Sequence, residues 1–309
     1  MPDPAAGQTR RGRRVVVAGA SGLIGSALVD SLRADGIAVT RLVRRPAEQP
    51  DEVEWLTSPR PLDPAVLEGA DAVVGLNGAS IGRFPWTASY KSTLLWSRIT
   101  PTRALARAVR EWGAGAPHFV TASAVGYYGT EPGAHLSEDA PRGESFLADL
   151  CGEWEGAALA AGPDASVARV RSAPVVHPEG VLKPLLLLTR LGLSGPIGRG
   201  TQAWPWISLE DEVRAIRHVI DLRVSGPVNL AGPTRATAND LGFALAVRMN
   251  RPFLVRAPEW GMKLVIGRDA TEALLTADMH VVPDVLAGSG FSFRHPTVED
   301  AIAAVVPPG

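Results

Sequence analysis

The chain has 309 residues and is 46% hydrophobic, so it can bury a large core and is expected to form one α/β unit with a smaller lobe. Its 31 basic and 32 acidic residues leave a net charge of -1, which excludes a bulk attraction to nucleic acid or to anionic lipid. A single cysteine excludes an internal disulfide and a cysteine-based metal cluster, and it fits the reducing cytoplasm.

The first residues do not have the composition of a targeting segment. Residues 1–13 mix Pro, Gly, Ala, Gln and Arg without an apolar stretch, so we expect a disordered tail rather than a signal peptide or an anchor. The longest later apolar run, from Pro184 to Leu188, is far too short to span a bilayer. We therefore expect a cytoplasmic protein with neither membrane nor nucleic acid as a partner.

A glycine-rich turn joins the first predicted strand to the first predicted helix. The apolar run Arg14–Ala18 leads into Gly19, Gly22 and Gly25, and the helical stretch Leu23–Arg33 follows. The first glycine permits a tight turn, the second lets the backbone approach a phosphate, and the third lets the helix pack on the strand. The free N–H groups of such a helix bind a pyrophosphate at the positive end of its dipole. The pattern predicts a dinucleotide site.

The residues after the second predicted strand select the cofactor. An NAD-specific site places an acidic residue there to bind the ribose 2′-hydroxyl. In this chain the strand Ala38–Val43 is followed by Arg44 and Arg45 instead. A guanidinium presents a planar fork that suits a 2′-phosphate, so the sequence favours NADP(H). The alternative is that both arginines belong to a solvated basic loop.

Further along the chain, short apolar strands alternate with helices. The predicted strands cover 71–76, 118–123, 166–171 and 227–230, and the predicted helices cover 90–112, 146–161 and a stretch that ends near 221. Continuous apolar strands separated by helices indicate a doubly wound, parallel Rossmann sheet, in which ligands bind beyond the carboxyl ends of the strands. The predicted cofactor-binding residues are Gly19, Ser21, Gly22, Leu23, Ile24, Gly25, Arg44, Arg45, Leu76, Asn77, Gly78 and Ala122.

The composition changes after residue 171, where glycine and proline become frequent. We assign 14–171 and 204–231 to the Rossmann domain. The remaining segments, 172–203 and 232–309, are predicted to form a smaller, discontinuous C-terminal substrate lobe.

Several sequence blocks carry a family resemblance over nearly the whole chain. They are 19–25 (GASGLIG), 76–81 (LNGASI), 123–129 (SAVGYYG), 192–198 (GLSGPIG), 206–211 (WISLED), 226–230 (GPVNL) and 290–296 (GFSFRHP). In their order the chain resembles the atypical extended short-chain dehydrogenases of the SDR39U-type epimerase family. The resemblance implies a two-lobed, NADP(H)-binding protein of the nucleoside-diphosphate-sugar epimerase class.

The same resemblance shows where the usual catalytic pair would lie. Extended short-chain dehydrogenases use a Ser or Thr after the fifth strand, then a Tyr and, four residues later, a Lys that lowers the pKa of the phenol. With Glu155 at the place of the family's downstream Glu, Leu147 stands where the Tyr is expected and Cys151 where the Lys is expected. The usual pair is absent, so redox chemistry on an alcohol or carbonyl needs a substitute acid.

Tyr127 and Tyr128 are the candidates for that acid, because they follow the fifth strand closely. A phenol is a poor base at pH 7 but can donate a proton to an alkoxide. Ser123 is expected to orient the substrate. The alternatives are that one tyrosine packs at the lobe interface, that the other only bonds to backbone, and that the serine caps the strand end.

Trp86, His177 and Trp206 are the predicted substrate-pocket residues. Tryptophans are also common core residues, and the histidine has the alternative of a simple loop position. The spacing of the six histidines does not suggest a bound metal.

The favoured function is an NADP(H)-dependent oxidoreductase or epimerase that acts on a small carbonyl or hydroxyl compound or on a nucleotide sugar. The absence of the Tyr/Lys pair keeps a non-catalytic NADP(H)-binding redox sensor as the main alternative. A descendant that no longer binds a nucleotide is a third possibility, which the intact glycine turn opposes. The sequence leaves the substrate and the oligomeric state open.

Overall fold

The computed structural model describes residues 12–309. Residues 1–11 of the predicted tail, 1–13, therefore lie outside the described residues. Seven parallel strands form the central sheet: β1 (Arg14–Ala18), β2 (Ala38–Val43), β3 (Glu52–Glu54), β4 (Ala72–Gly75), β5 (His118–Ala124), β7 (Val167–Ser172) and β10 (Gly226–Leu230). Their spatial order is β10-β7-β5-β4-β1-β2-β3. Two short parallel pairs lie outside this sheet: β6 (His135–Leu136) with β11 (His280–Val281), and β8 (Val175–Val176) with β9 (Ile207–Ser208).

The helices lie on both faces of the sheet and in the second lobe. They are α1 (Leu23–Ala34), α2 (Ala88–Trp112), α3 (Phe146–Leu159), α4 (Leu182–Arg190), α5 (Leu209–Leu222), α6 (Ala238–Arg248), α7 (Glu259–Ile266), α8 (Arg268–Ala270), α9 (Asp284–Gly288) and α10 (Val298–Val305). A 3-10 turn, Val125–Tyr128, follows β5. Among residues 12–309, no helix is long and apolar enough to cross a membrane.

The two faces of the sheet contribute to two separate cores. Val15 and Val17 of β1 pack with α1 and α5, whereas Val16 and Ala18 pack with α2. This alternation is what a strand covered on both faces requires, because successive side chains point to opposite sides. The doubly wound parallel architecture predicted from the sequence is confirmed.

Local sequence explains where the helices on the second face begin and end. The Thr87 hydroxyl caps α2 by accepting a hydrogen bond from the Tyr90 N–H at 3.2 Å, and the helix ends at Gly113 with φ +79°. Ser145 caps α3 through the Ala148 N–H at 3.1 Å. These caps fix the helices that cover β4, β5 and β7.

The second lobe has its own core. Trp204 and Trp206, at the start of the predicted Rossmann segment 204–231, pack in this core with α4, α6 and α10. Residues 277–286, expected in the lobe, contribute Met279, Val281 and Leu286 to the core of the first domain. The reason is the pairing of β11 with β6, which returns the chain to the first domain.

Candidate active site

The crevice lies where the strand order reverses between β1 and β4. β1 pairs with β2 on one side and with β4 on the other, so the loops after β1 and β4 leave the sheet side by side. Gly19 has φ +83°, and a Cβ there would lie 2.7 Å from the carbonyl carbon of Leu76. Only glycine allows this turn and this close approach. The structure therefore brings the predicted glycine turn and the predicted 76–78 loop together.

The start of α1 is arranged to bind an anion. Gly22 is the N-cap and provides no side-chain bond to the helix N–H groups, and the first turn contains no acidic residue. A Cβ at Gly22 would meet only the Gly19 carbonyl oxygen at 3.5 Å, whereas a Cβ at Gly25 would lie 2.1 Å from that oxygen. Ser21 and Gly22 are exposed. Uncapped N–H groups at an open helix start are the donors that a pyrophosphate accepts.

The two arginines after β2 differ in their partners. Arg45 is held by Glu52 of β3, with Nη2 2.7 Å from Oε1, and it also lies 3.5 Å from the Glu48 carboxylate. The hydrogen bonds from Arg45 lower the pKa of Glu52 to about 2. Arg44 is exposed and forms no ion pair within the described part of the chain. Of the two predicted residues, Arg44 is the one whose guanidinium is available to a ligand.

Helix α3 carries Leu147 and Cys151, at the two positions where the family resemblance predicts the catalytic pair. Leu147 packs against the turn after β5, where a Cβ on Gly126 would lie 3.1 Å from the leucine Cβ. Cys151 is 1% exposed, and burial raises the pKa of its thiol to about 12. A leucine holds no proton and a buried neutral thiol supplies no positive charge. The structure therefore places no Tyr/Lys function on this helix.

Ser123 belongs to a buried ionic network. Its hydroxyl donates to Glu155 Oε1 at 2.8 Å, and the same carboxylate accepts from Arg171 Nε at 2.8 Å and from Nη2 at 3.0 Å. Burial acts to lower the pKa of Arg171, but the hydrogen bonds and charge of Glu155 outweigh it and raise that pKa. All three side chains are at most 4% exposed. The serine therefore holds a carboxylate in place.

Tyr128 is part of the same network. Its hydroxyl donates to Asn229 Oδ1 at 2.6 Å and accepts from Arg171 Nη1 at 2.9 Å, and the residue is 0% exposed. Burial raises the pKa of Tyr128 to about 12. A phenol enclosed in this way has no access to a substrate, which argues against the predicted role of proton donor.

Tyr127 is placed differently. It is half-buried, and its hydroxyl forms no hydrogen bond with any residue in the range 12–309. The Arg171 guanidinium carbon lies 3.6 Å from the centroid of its ring, and the Tyr128 ring meets it edge-on at 5.4 Å. The ring is therefore fixed by a cation–π contact while the hydroxyl stays available.

A cleft of about 660 Å³ lies beside this turn, between the two lobes. Its lining includes Gly126, Gly129, Thr130, Glu131, Arg142, Gly143, Glu144, Ser145, Phe146, Leu147, Asp269, Glu272, Ala273, Ala277 and Met279. The lining includes Leu147, at the expected tyrosine position, so the cleft adjoins the place where chemistry would occur. Sequence reasoning missed its charged residues, because none of them follows a predicted strand.

Of the predicted pocket residues, none lines this cleft. Trp206 is 2% exposed and donates to the Thr234 carbonyl at 3.1 Å, beside a cavity of only about 10 Å³, so it is a core residue of the lobe. Trp86 is 8% exposed, and its indole N–H donates to the Ile81 carbonyl at 3.0 Å. Its ring packs on the ring of Phe146, with 5.8 Å between the two centroids.

His177 lies in the turn after β8, where its Nδ1 accepts from the Glu179 N–H at 3.2 Å. The prediction that these three residues line the pocket is not supported by their positions. Among residues 12–309, no three His, Cys, Asp or Glu side chains are grouped as a metal site would need.

The parallel sheet, the glycine turn at its switch point and the open start of α1 define a Rossmann-type dinucleotide-binding fold. Residues 15–231 match the NAD dependent epimerase/dehydratase family, and residues 257–305 match a domain of unknown function, DUF1731. The chain belongs to the NAD dependent epimerase/dehydratase family.

Curated and solved relatives agree with this assignment. An epimerase family protein of Mycobacterium leprae is 40% identical over 299 residues, which cover 96% of each chain. The crystal structure of human epimerase family protein SDR39U1 with NADPH superposes with a TM-score of 0.84 at 30% identity, covering 94% of this chain and 98% of that one. MoeE5 in complex with UDP-glucuronic acid and NAD gives a TM-score of 0.72 at 25% identity, covering 94% and 97%. The resemblance to SDR39U-type epimerases is confirmed.

Proposed function

We propose that this chain is an NADP(H)-dependent oxidoreductase that acts on a small carbonyl or hydroxyl compound. The observation that carries the proposal is the pairing of an uncapped α1 start with an available guanidinium at Arg44, where NAD-specific sites have an acid. The human relative crystallised with NADPH supports the same choice of cofactor. Bound nicotinamide would supply or accept the hydride.

The residues of the crevice fit a dinucleotide. The bare backbone at Gly22 leaves room for a pyrophosphate, which the N–H groups of the first turn of α1 would bind. Arg44 would bind the 2′-phosphate, since Arg45 is occupied by Glu52. Leu76, Asn77 and the half-buried Ala122 border the crevice at the ends of β4 and β5.

Tyr127 is the proton donor in this proposal. Its hydroxyl has no hydrogen-bond partner among residues 12–309, and the Arg171 guanidinium against the ring is held by Glu155. A phenol positioned in this way can donate its proton to a developing alkoxide. Ser123 acts through Glu155, so its role is to position the network and not to contact the substrate.

The charges of the interlobe cleft favour a small carbonyl compound over a nucleotide sugar. Four carboxylates line it, from Glu131, Glu144, Asp269 and Glu272, against the single guanidinium of Arg142. A diphosphate would be repelled by these carboxylates and would find one basic partner.

Basic residues behind the lining compensate only part of this charge. Lys91 pairs with Asp269, and Lys263 pairs with Glu272 at 2.9 Å. Glu131 and Glu144 form no ion pair with described residues. The lining of the cleft therefore keeps negative charge, which suits an uncharged or cationic substrate.

A second candidate function is a redox sensor that binds NADP(H) without turnover. The observation in its favour is the apolar and neutral pair on α3, Leu147 and Cys151, where the family has its catalytic Tyr and Lys. The two functions share a cofactor and differ in chemistry, so they are separated by hydride transfer.

The test uses calorimetry followed by single-turnover kinetics. NADPH should bind the protein at least about tenfold more tightly than NADH, as a guanidinium–phosphate contact predicts. The enzyme–NADPH complex is then mixed with a panel of uncharged, cationic and nucleotide-linked carbonyl compounds, and NADPH absorbance is followed. Oxidation with an uncharged or cationic compound supports the oxidoreductase. Tight binding with no oxidation across the panel supports the sensor, and equal affinities for NADH and NADPH contradict the cofactor assignment.

A further inference from the structure

Arg98 is a buried arginine of α2 that the proposed reaction does not use. It is 9% exposed, and it donates from Nη1 to the Leu94 carbonyl at 2.9 Å and from Nη2 to the Ala79 carbonyl at 3.1 Å. Its guanidinium carbon lies 5.1 Å from the centroid of the Trp154 ring. These contacts fix the side chain and leave several of its N–H donors without a protein acceptor.

The positive charge of Arg98 has no counter-ion. Within the described range 12–309 it forms no ion pair, whereas the other deeply buried arginine, Arg171, is bonded twice by Glu155. Burial lowers the pKa of the Arg98 guanidinium, although an arginine stays protonated at pH 7. An unpaired buried charge is costly, and fixed arrangements of this kind are typical of anion and cofactor sites.

The guanidinium lies directly behind the cofactor crevice. Gly78 is exposed, and a Cβ there would be 3.0 Å from the Arg98 guanidinium carbon, so the bare glycine is what separates the charge from the crevice. The neighbouring Asn77 Oδ1 is buried and has no partner among the described residues. Both residues lie on the loop after β4, which contacts the glycine turn at Gly19. A charge without a counter-ion and a buried amide oxygen without a partner among the described residues therefore lie at the same loop, on one side of the crevice.

The position of Arg98 relative to α3 suggests what it replaces. Its guanidinium stacks on Trp154, which lies three residues after Cys151 on α3. The family's catalytic lysine would occupy position 151 on α3, and here that position is neutral. A cation therefore remains in this part of the site, but it comes from α2.

We propose that Arg98 supplies a positive charge that α3 lacks, and that it binds the nicotinamide-side ribose and phosphate of NADP(H) through the opening at Gly78. This inference rests on the proposed NADP(H) binding. It assigns Arg98 to the nicotinamide half of the cofactor and Arg44 to the adenosine half. The two arginines should therefore be separable by ligands that contain only one half.

The experiment compares two ligands on four proteins by calorimetry. NADPH contains both halves, whereas adenosine 2′,5′-bisphosphate lacks the nicotinamide half. The proteins are the wild type, Arg98→Gln, Arg98→Lys and the control Arg103→Gln, an exposed arginine on the same helix. Arg98→Gln should weaken NADPH about tenfold to a hundredfold and change the bisphosphate less than about twofold. Arg98→Lys should be intermediate for NADPH, since lysine keeps the charge but loses the fork.

Each other result overturns the inference. NADPH affinity unchanged in Arg98→Gln means that the charge does not contact the cofactor. An equal loss for both ligands means that the substitution only disturbs the loop. If Arg98→Gln does not fold, Arg98→Met replaces it, since its stem still packs on Trp154. Failure of the wild type to bind NADPH would instead contradict the proposed function, and the inference would fall with it.

Discussion

The two ends of the crevice differ in how closely their residues follow the family pattern. At the glycine turn, the family pattern is intact: Gly19 has the required positive φ, Gly22 leaves open space, and α1 begins without a cap. At the other end, Leu147 and Cys151 stand where the family resemblance predicts the residues that move a proton, and Ser123, Glu155 and Arg171 form a buried network.

The difference shows that binding and chemistry can be carried by separate parts of one fold. The phosphate end depends on backbone N–H groups, which any sequence that forms the turn will supply. The proton end depends on side chains, and the buried positive charges there are Arg98 on α2 and Arg171 on β7. The following predictions test whether the two ends are independent.

The largest effect is expected at the phosphate end. Gly22→Val places a branched side chain where the pyrophosphate would lie, and NADPH affinity should fall by more than about a hundredfold. The fold should survive, because a Cβ at this position meets only the Gly19 carbonyl at 3.5 Å. Calorimetry and thermal melting measure both quantities. Gly156→Val, at an exposed helical glycine with open space around it, is the matched control. Normal NADPH binding by Gly22→Val would remove the glycine turn from the site.

The next largest effect is expected at the proton end. Tyr127→Phe removes the available hydroxyl, and the single-turnover rate of NADPH oxidation should fall about a hundredfold while NADPH affinity stays the same. Tyr128→Phe is the control, because its hydroxyl is enclosed by Asn229 and Arg171. It should lower the free energy of unfolding by about 1–3 kcal/mol and leave the rate nearly unchanged. If Tyr128→Phe lost the rate and Tyr127→Phe kept it, Tyr128 would be the proton donor.

A smaller effect separates the two arginines after β2. Arg44→Ala should weaken NADPH about tenfold to a hundredfold and leave NADH nearly unchanged, because only NADPH carries the 2′-phosphate. Arg45→Ala should change the affinity for either cofactor little, since Arg45 is bonded to Glu52. Both ligands are titrated by calorimetry against both variants. Equal losses for NADPH and NADH in Arg44→Ala would show that Arg44 does not read the phosphate.

The last effect concerns stability rather than cofactor binding, and it is located at a buried carboxyl of α5. Glu212 on α5 is 0% exposed, accepts from the Ser172 hydroxyl at 2.5 Å, and has its other oxygen unpartnered among described residues. Burial raises its pKa to about 8, so the folded protein keeps a proton that the unfolded chain releases near pH 4.3. Stability should therefore fall as pH rises between about pH 5 and pH 8, by at most about 1.4 kcal/mol per unit.

Glu212→Gln cannot ionise, so it should lose this component of the pH dependence. Urea unfolding at several pH values should show the stability of the variant gaining on the wild type as pH rises. Glu210→Gln, an exposed carboxyl on the same helix, serves as the control. Parallel curves for Glu212→Gln and the wild type would mean that the buried carboxyl is ionised in the folded state.

The sequence predicted those features whose residues are neighbours along the chain. β1, the glycine turn and α1 are contiguous, so a short pattern fixes them, and the choice between NAD and NADP depends on residues next to β2. The burial of Tyr128 could not be read in this way, because its partners Asn229 and Arg171 are distant in the chain and meet it only through the register of β5, β7 and β10.

The residues of the substrate cleft could not be predicted from the sequence either, because their neighbours in the fold are also distant in the chain. Trp206 follows the pattern of a pocket residue, yet Gly232 packs so closely on its ring that a Cβ there would lie 2.6 Å away. The cleft is lined instead by Asp269 and Glu272 of the C-terminal region together with Gly126. No periodic pattern in the sequence predicts that these residues lie near each other.

The short pairing of β6 with β11 has a consequence for how the chain is made. Asn229 donates to the Leu136 and Val282 carbonyls at 3.1 Å and 2.9 Å, and the Glu138 carboxylate accepts from the Val285 N–H at 3.2 Å. Until residues 280–285 leave the ribosome, Asn229 lacks the Val282 carbonyl and Glu138 lacks the Val285 N–H, and each such missing hydrogen bond costs about 1–3 kcal/mol. Residues 15–231 contain the match to the NAD dependent epimerase/dehydratase family, but two hydrogen bonds of their buried side chains need Val282 and Val285. A nascent chain that ends after β10 would therefore lack two of the hydrogen bonds around Asn229 and Glu138 until residues 280–285 are synthesised.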